Sequence, residues 1–367
     1  MAEKSKVYFT NLRAKFGDSL LTKLERLART AGMEQMELDN KFVAIKIHFG
    51  EPGNLAFLRP NFAKVIVDMV KKQGGRPFLT DCNTLYVGRR KNALDHLDAA
   101  YENGYSPFST GCHVIIADGL KGTDEVLVDI DGEYVKQAKI GRAVMDADVL
   151  ITLTHFKMHE LAGVGGAIKN IGMGCGSRAG KMEMHSSGKP YVEEELCISC
   201  GACRKNCAHS AISFVEKKAR IDHGKCVGCG RCIGVCPADA VQPAQDEAND
   251  ILNKKIAEYT WAVVKDKPNF HISLIMDVSP YCDCHPENDL PIVPDIGMAA
   301  SFDPVALDMA CVDLVNAQPV FKDCVIGAQP EGDHFCAVHP TTNWRPVIDH
   351  AVELGLGSAD YELIEID

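Results

Sequence analysis

Residues 197–207 read Cys-Ile-Ser-Cys-Gly-Ala-Cys-Arg-Lys-Asn-Cys, and residues 226–236 read Cys-Val-Gly-Cys-Gly-Arg-Cys-Ile-Gly-Val-Cys, followed by Pro237. Both runs have the spacing C-x2-C-x2-C-x3-C, and each cysteine of the first recurs 29 positions later in the second. Three thiolates on one tight turn suit three irons of a cubane, and the fourth, pointing away, suits the other cluster. Small residues (Gly201, Ala202, Gly228, Gly230, Gly234) let the backbone wrap closely. The spacing therefore predicts two 4Fe-4S clusters with crossed ligand sets. Cys197, Cys200, Cys203 and Cys236 form one set, and Cys226, Cys229, Cys232 and Cys207 the other. Structural zinc uses two separated ligand pairs, not two runs of four.

On either side of this block the pattern changes. Before it, strand-like runs (Lys6–Thr10, Lys41–Phe49, Pro77–Thr80, His113–Ala117, Val149–Thr154) alternate with helical ones (from Asp18, Asn61–Gln73, Arg90–Asn103). Glu125–Ile130 and Glu133–Gln137 flank Asp131-Gly132, a hairpin turn signal, and Ile140–Asp146 reads as a short helix. After the block, Asp246–Val264 reads as a long helix and Phe270–Val278 as a buried strand. Asp303-Pro304 opens a further helix, and Pro346–Leu354 forms the last. The expected fold is α/β, a mainly parallel sheet with helices on both faces. Its segments, residues 1–190 and 244–367, are interrupted by an inserted ferredoxin-like α+β module at 191–243.

Composition narrows the function. With 46% hydrophobic and 24% charged residues the chain is an ordinary globular sequence. Its formal charge of −11 argues against a nucleic-acid or anionic-membrane binder. The N-terminus lacks a signal-peptide apolar core and no run is long enough to span a bilayer, so a cytoplasmic location is expected. Sixteen cysteines in such a chain read as metal ligands, not as disulfides.

A second centre is expected where open α/β sheets gather ligands, at the carboxyl ends of the strands. Those exits carry Lys46 and His48, Asp81, Cys82 and Asn83, Asp118, then His155, Lys157 and His159, and finally Cys282, Cys284 and His285. Cys282 and Cys284, two apart, would face one side of an extended chain and suit a soft metal or a redox pair. Cys282, Cys284, His155, His159 and Lys169 are the candidate catalytic residues. Cys175, Cys282, Cys284 and His285 are the candidate ligands of a third centre. His155 and His159 could share a helical face. Residues 163–181 are glycine-rich and carry Lys169, Arg178 and Lys181. Read as a loop, this stretch offers backbone amides and positive charge to an anion such as a flavin or nucleotide phosphate. Gly165, Gly166, Lys169, Asn170, Arg178 and Lys181 are the candidate binding residues, with Cys175 and His185 nearby.

Residues 191–243 resemble the bacterial two-cluster ferredoxins, departing at Ala208, where that family usually has proline. His155-Phe156-Lys157-Met158-His159, Lys169 to Cys175, Gly180-Lys181, Cys282-Asp283-Cys284 and Phe302-Asp303-Pro304 resemble the family labelled domain of unknown function 362 over nearly the whole chain. The resemblance implies an iron–sulfur protein of an anaerobic bacterium or archaeon and supplies no reaction. The His-x3-His pair and Gly163-x-Gly165-Gly166-x2-Lys169 are also similar to the cofactor loop of nickel-dependent lactate racemases. The leading expectation is an oxidoreductase passing low-potential electrons from a redox partner (a ferredoxin, flavodoxin or oxidoreductase) to a cofactor, metal or small anionic substrate. The rivals are a pure electron carrier and a metal-handling or racemase-like enzyme with structural clusters.

Overall fold

The structure is a computed structural model, and it describes residues 4–86, 88–185, 189–244 and 248–366. Along the chain run β1 (Ser5–Asn11), α1 (Leu20–Thr30), β2 (Phe42–Lys46), α2 (Pro60–Lys72), β3 (Arg76–Asp81), α3 (Ala93–Glu102), α4 (Pro107–Thr110) and β4 (His113–Ile116). Next come β5 (Glu125–Asp129), β6 (Gln137–Gly141), α5 (Arg142–Asp146), β7 (Val149–His155), β8 (Lys157–His159), β9 (Gly163–Gly165), α6 (Ala167–Cys175) and α7 (Arg178–His185). The cysteine-rich segment contributes β10 (Pro190–Val192), α8 (Ala202–Asn206), β11 (Ile212–Val215), β12 (Lys218–Ile221), α9 (Arg231–Gly234) and β13 (Val241–Pro243). The chain closes with α10 (Asn249–Val264), β14 (Asn269–Ile275), β15 (Gly297–Ser301), α11 (Pro304–Asn316), α12 (His334–Val338), α13 (Arg345–Glu353) and β16 (Tyr361–Glu365).

Eight strands form one sheet in the order β16-β1-β15-β14-β7-β2-β3-β4. Every neighbouring pair is parallel except the two that involve β15. Seven strands thus share a direction and one carboxyl edge. β7 and β14 lie near the centre of the sheet, and β7 is buried throughout. Successive residues of β7 feed opposite cores. Leu150 packs with residues of α6, α10, α11 and α13, whereas Val149, Ile151 and Leu153 pack with α1 and α2. Helices therefore cover both faces, as the alternating pattern predicts.

Several local expectations need correction. Ser19, not Asp18, caps α1, accepting from the Thr22 N–H at 3.3 Å; Asp18 instead pairs with Arg26 at 2.9 Å. The second arm of the hairpin is β6, so its pairing starts where the sequence reading ended it. The glycine-rich stretch is not a loop but β9 and two helices, α6 and α7. The start of the expected helix at Asp246 lies outside the described residues, and α10 begins at Asn249. Asp303 caps α11, accepting from Val305 and Ala306 N–H at 2.8 and 3.0 Å, with Pro304 in the first turn as expected.

The cysteine-rich segment leaves and rejoins the rest of the molecule side by side, because β10 and β13 pair antiparallel. Between them lie α8, the β11–β12 hairpin and α9.

Candidate redox site

The eight cysteines of the two runs sort into two cavities. One, of about 360 Å³, is lined by Cys207, Cys226, Cys229 and Cys232. The other, of about 290 Å³, is lined by Cys197, Cys200, Cys203 and Cys236. This crossed grouping follows from the fold. Gly201 and Gly230, both at positive φ, let the chain turn directly into α8 and α9, which carry the third cysteine of each run. Backbone N–H groups point at the sulfurs: Ala211 to Cys207 at 3.4 Å, Ala219 to Cys197 at 3.5 Å, and Ala240 to Cys236 at 3.2 Å. Four thiols around a small cavity, with N–H groups aimed at sulfur, is a donor set that fits an iron–sulfur cluster. Ile198 and Val227, each following the first cysteine of its run, are exposed.

This segment sits directly on the α/β domain. Leu85 and Met182 are buried in one apolar cluster with Cys203, Ile212, Ile233 and Val241. Arg178 lies fully buried at the junction, its Nε donating to the Lys121 carbonyl at 3.2 Å and another guanidinium nitrogen to the Lys91 carbonyl. A Cβ on Gly234 would stand 2.5 Å from the remaining guanidinium nitrogen, so the bare backbone of α9 is what admits this side chain. Lys91 also pairs with Asp239 across the junction.

Beneath Leu85 opens a cavity of about 760 Å³ at the carboxyl edge of the sheet. Its polar wall is ordered by buried ion pairs. Lys46 Nζ is 3.0 Å from Asp81 and donates to Asn170 Oδ1 at 2.8 Å. Arg90 is 2.7 Å from Glu51 and 2.9 Å from His48 Nε2. Burial and the Arg90 charge pull His48 down to about 3, so it is neutral. His185 is 2.6 Å from the Tyr86 hydroxyl; burial, with the Lys169 charge nearby, brings it down to about 3 as well.

Cys282 and Cys284 reach the cavity from residues 276–296, which join β14 to β15. They sit in a turn, not in the extended chain expected: the His285 N–H donates to the Cys282 carbonyl at 3.0 Å. Both sulfurs nevertheless face the same way, lying within 4.8 Å of each other and of a His159 ring nitrogen. The hydrogen bond from Cys284, opposed by burial and reinforced by Lys169, Lys157 and His159, holds Cys282 well below the ordinary thiol value. That same bond, together with burial, pushes Cys284 well up. Lys169 Nζ stands 3.9 Å from the Cys282 sulfur.

The structure thus brings His159, Lys169, Cys282 and Cys284 together, with Gly165, Gly166, Asn170, Lys181 and His185 on the same walls. Four expected members are not on the cavity wall. His155 and His159 are on strands, not a helix, and His155 is held between Asp283 at 2.9 Å and the Met276 carbonyl at 2.9 Å, away from the cavity. Cys175 is buried in the core, its carbonyl accepting from the Cys82 thiol at 3.3 Å, and burial raises it to about 11. His285 is off the cavity wall and pairs with Glu160 at 3.0 Å, but its ring, a Glu160 oxygen and the Cys284 sulfur have ligand atoms within 4.8 Å of one another. Arg178 serves the junction. In that glycine-rich stretch the backbone amides that open α6 are already taken: Asp308 accepts from Ala167 and Ile168 N–H at 2.6 and 2.9 Å. Sequence reasoning did not find Tyr86, Arg90, Glu51 or Asp308, which carry no spacing signal and matter only through contacts distant in sequence.

Residues 43–313 match the family described as Domain of unknown function (DUF362). A thylakoid-associated protein of Synechocystis sp. is 26% identical over 124 residues, 34% of this chain and 35% of that protein, so the chain matches about a third of that relative's length. The lactate racemase apoprotein of Thermoanaerobacterium thermosaccharolyticum is similar at a TM-score of 0.47 and 11% identity, over 81% of this chain and 56% of that one. A Thermotoga maritima protein follows at 0.38 and 10%, over 70% and 49%. Neither structure is close enough to lend this chain a function. No described helix is long and apolar enough to cross a membrane.

Proposed function

Since the chain belongs to the family described as Domain of unknown function (DUF362), a name that assigns no reaction, we propose from its own residues that it is an iron–sulfur oxidoreductase. It would pass low-potential electrons to a small anionic ligand in the α/β cavity. The observation that carries this reading is the sorting of eight thiols into two cavities, each lined by one crossed set of four. Cys197, Cys200, Cys203 and Cys236 would hold one 4Fe-4S cluster, and Cys207, Cys226, Cys229 and Cys232 the other. When bound, such clusters supply one-electron transfer. The N–H groups of Ala211, Ala219 and Ala240 then stabilise the negative sulfur ligands.

The remaining residues supply what electron delivery requires. Exposed Ile198 and Val227 offer apolar contact beside the thiols to a redox partner such as a ferredoxin, flavodoxin or oxidoreductase. Leu85 belongs both to the apolar cluster under the cysteines and to the cavity wall, so the two sites are in van der Waals continuity. Lys169 and Lys181 have no carboxylate partner among the described residues and give the cavity its preference for an anion.

Purification under anaerobic conditions with iron and acid-labile sulfide analysis tests this. About eight of each per chain, with a paramagnetic signal on reduction, is the expected result, and Cys226→Ser should lose about half of both. Tightly held zinc, or iron without labile sulfide, would overturn it.

A further inference from the structure

The turn that presents Cys282 and Cys284 is fixed from behind. Asp283, between them, points away from the cavity and is held by His155 Nδ1 at 2.9 Å and Lys157 Nζ at 3.2 Å. Its carbonyl also accepts the Glu51 N–H at 2.8 Å. Neither sulfur can swing out without breaking these contacts, so the pair is preorganised.

His159, Cys282 and Cys284 together have the chemistry of a metal site, but the tautomer of His159 decides against one. Its Nδ1 accepts the N–H groups of Leu161 and Ala162, each at 3.1 Å. A nitrogen that accepts two hydrogen bonds carries no proton, so in the neutral ring the proton is on Nε2. An Nε2–H is a donor and cannot ligate a metal. The His159 ring instead stands beside the sulfurs, one of its nitrogens lying within 4.8 Å of both. The Cys282 sulfur therefore has the Lys169 ammonium at 3.9 Å, with the His159 ring and the Cys284 sulfur within 4.8 Å. That is the environment of one thiolate beside one thiol, the resting state of a thiol–disulfide exchange centre.

We propose that Cys282 and Cys284 are a redox-active thiol pair that reduces small anionic disulfides bound in the α/β cavity. Cys282 is buried in the cavity wall, so a small molecule can reach it and a folded protein's disulfide cannot. Lys169 and Lys181 would receive its carboxylates, and Met173, Leu252 and Ile256 its methylene groups. The Cys282 thiolate attacks one sulfur of the substrate, a new S–S bond forms, and the first substrate thiolate leaves and takes up a proton from solvent. The Cys284 sulfur then attacks Cys282, its proton passing to the second substrate thiolate, which leaves as the thiol. The products are two substrate thiols and a Cys282–Cys284 disulfide. Reopening that disulfide to thiolate and thiol consumes two electrons and one proton. This last half rests on the proposed function, which names reduced iron–sulfur clusters as the donor; the exchange half needs only the chain's own sulfurs.

The test uses the anaerobically prepared holoprotein and 3,3′-dithiodipropionate, a small dianionic disulfide. Without an electron donor, one burst of mercaptopropionate is expected, together with a peptide in which Cys282 and Cys284 are linked, seen by mass spectrometry. Cys284→Ser should stop at a mixed disulfide on Cys282. Cystamine, the dicationic disulfide of similar size, should exchange about tenfold more slowly. Adding reduced methyl viologen should then give turnover. Absence of both the burst and the Cys282 adduct in protein with full iron and sulfide overturns the thiol pair and leaves the electron-transfer reading standing. A burst without turnover, in protein lacking iron, overturns the electron-transfer reading and leaves the pair. A bound metal other than iron that is lost in Cys282→Ser overturns the pair and the tautomer assignment together.

Discussion

Asp283 shows how far one buried carboxylate can act. It touches no ligand, yet it fixes the turn that sets two sulfurs in the cavity, and it offsets the charge of Lys157. Burial alone would raise its pKa, but His155 and Lys157 outweigh burial and hold it well below the usual carboxylate range. Asp283→Asn removes one side of a buried pair and should cost about 3–5 kcal/mol in chemical denaturation. The pH dependence has a definite sign. A depressed folded-state value adds stability above the unfolded value near about 4 and loses it as pH falls further. The gap between the native protein and Asp283→Asn should therefore persist from neutral pH to about 4 and narrow below that. Cysteine spacing made the Cys282–Cys284 pair legible in the sequence. The role of the residue between them was not, because its partners His155 and Lys157 lie more than a hundred positions away.

At the level of elements, α6 and α10 approach so closely that a Cβ on Gly172 would overlap the Ile256 carbonyl oxygen. Thr260, one turn further along α10, donates its hydroxyl to the Ile168 carbonyl at 2.8 Å. Gly172→Ala should thus destabilise the protein by about 1–3 kcal/mol in thermal or chemical melts, although alanine is the better helix former by about 1 kcal/mol. This contact also explains why residues 163–181 misled the sequence reading. Their glycines suggest a loop, but they are there to let helices pack close, a requirement invisible without the partner helix. β15, Gly297–Ser301, escaped notice for a related reason: Gly-Met-Ala-Ala-Ser has little intrinsic strand preference and is held by β1 and β14 on either side. The start of α6 offers a further test. Burial raises Asp308 to about 7 against the pull of the Ile168 and Ala167 N–H groups. A raised folded-state value means that the folded protein keeps a proton the unfolded chain releases. Stability from this group therefore falls as pH rises from about 4 to about 7. Denaturation of Asp308→Asn over that window should lack this decline.

For the molecule as a whole, the paired ends of the cysteine-rich segment matter most. β10 and β13 enter and leave together, so residues 190–243 can be replaced by a short Gly-Ser linker without pulling apart any strand of the large sheet. The shortened chain should fold with its α/β circular dichroism intact, but should bind a hydrophobic dye at newly exposed Leu85 and Met182. Arg178→Met should act at the same junction. It leaves the Lys91 and Lys121 carbonyls without their donor, at about 1–3 kcal/mol for each, and should speed amide exchange selectively across residues 226–236. The alternation of strands and helices and the doubled cysteine run were readable before any coordinates. What ties them together was not, since Arg178 looked like an anion ligand until its neighbours were known. The reversed strand carries a last consequence. A parallel neighbour of β14 would have required the chain to cross back over the sheet; β15 runs the other way, so residues 276–296 are free to stay above the carboxyl edge. Chemistry at that rim can therefore be rewritten by changing one hanging stretch of chain, while the scaffold underneath keeps its register.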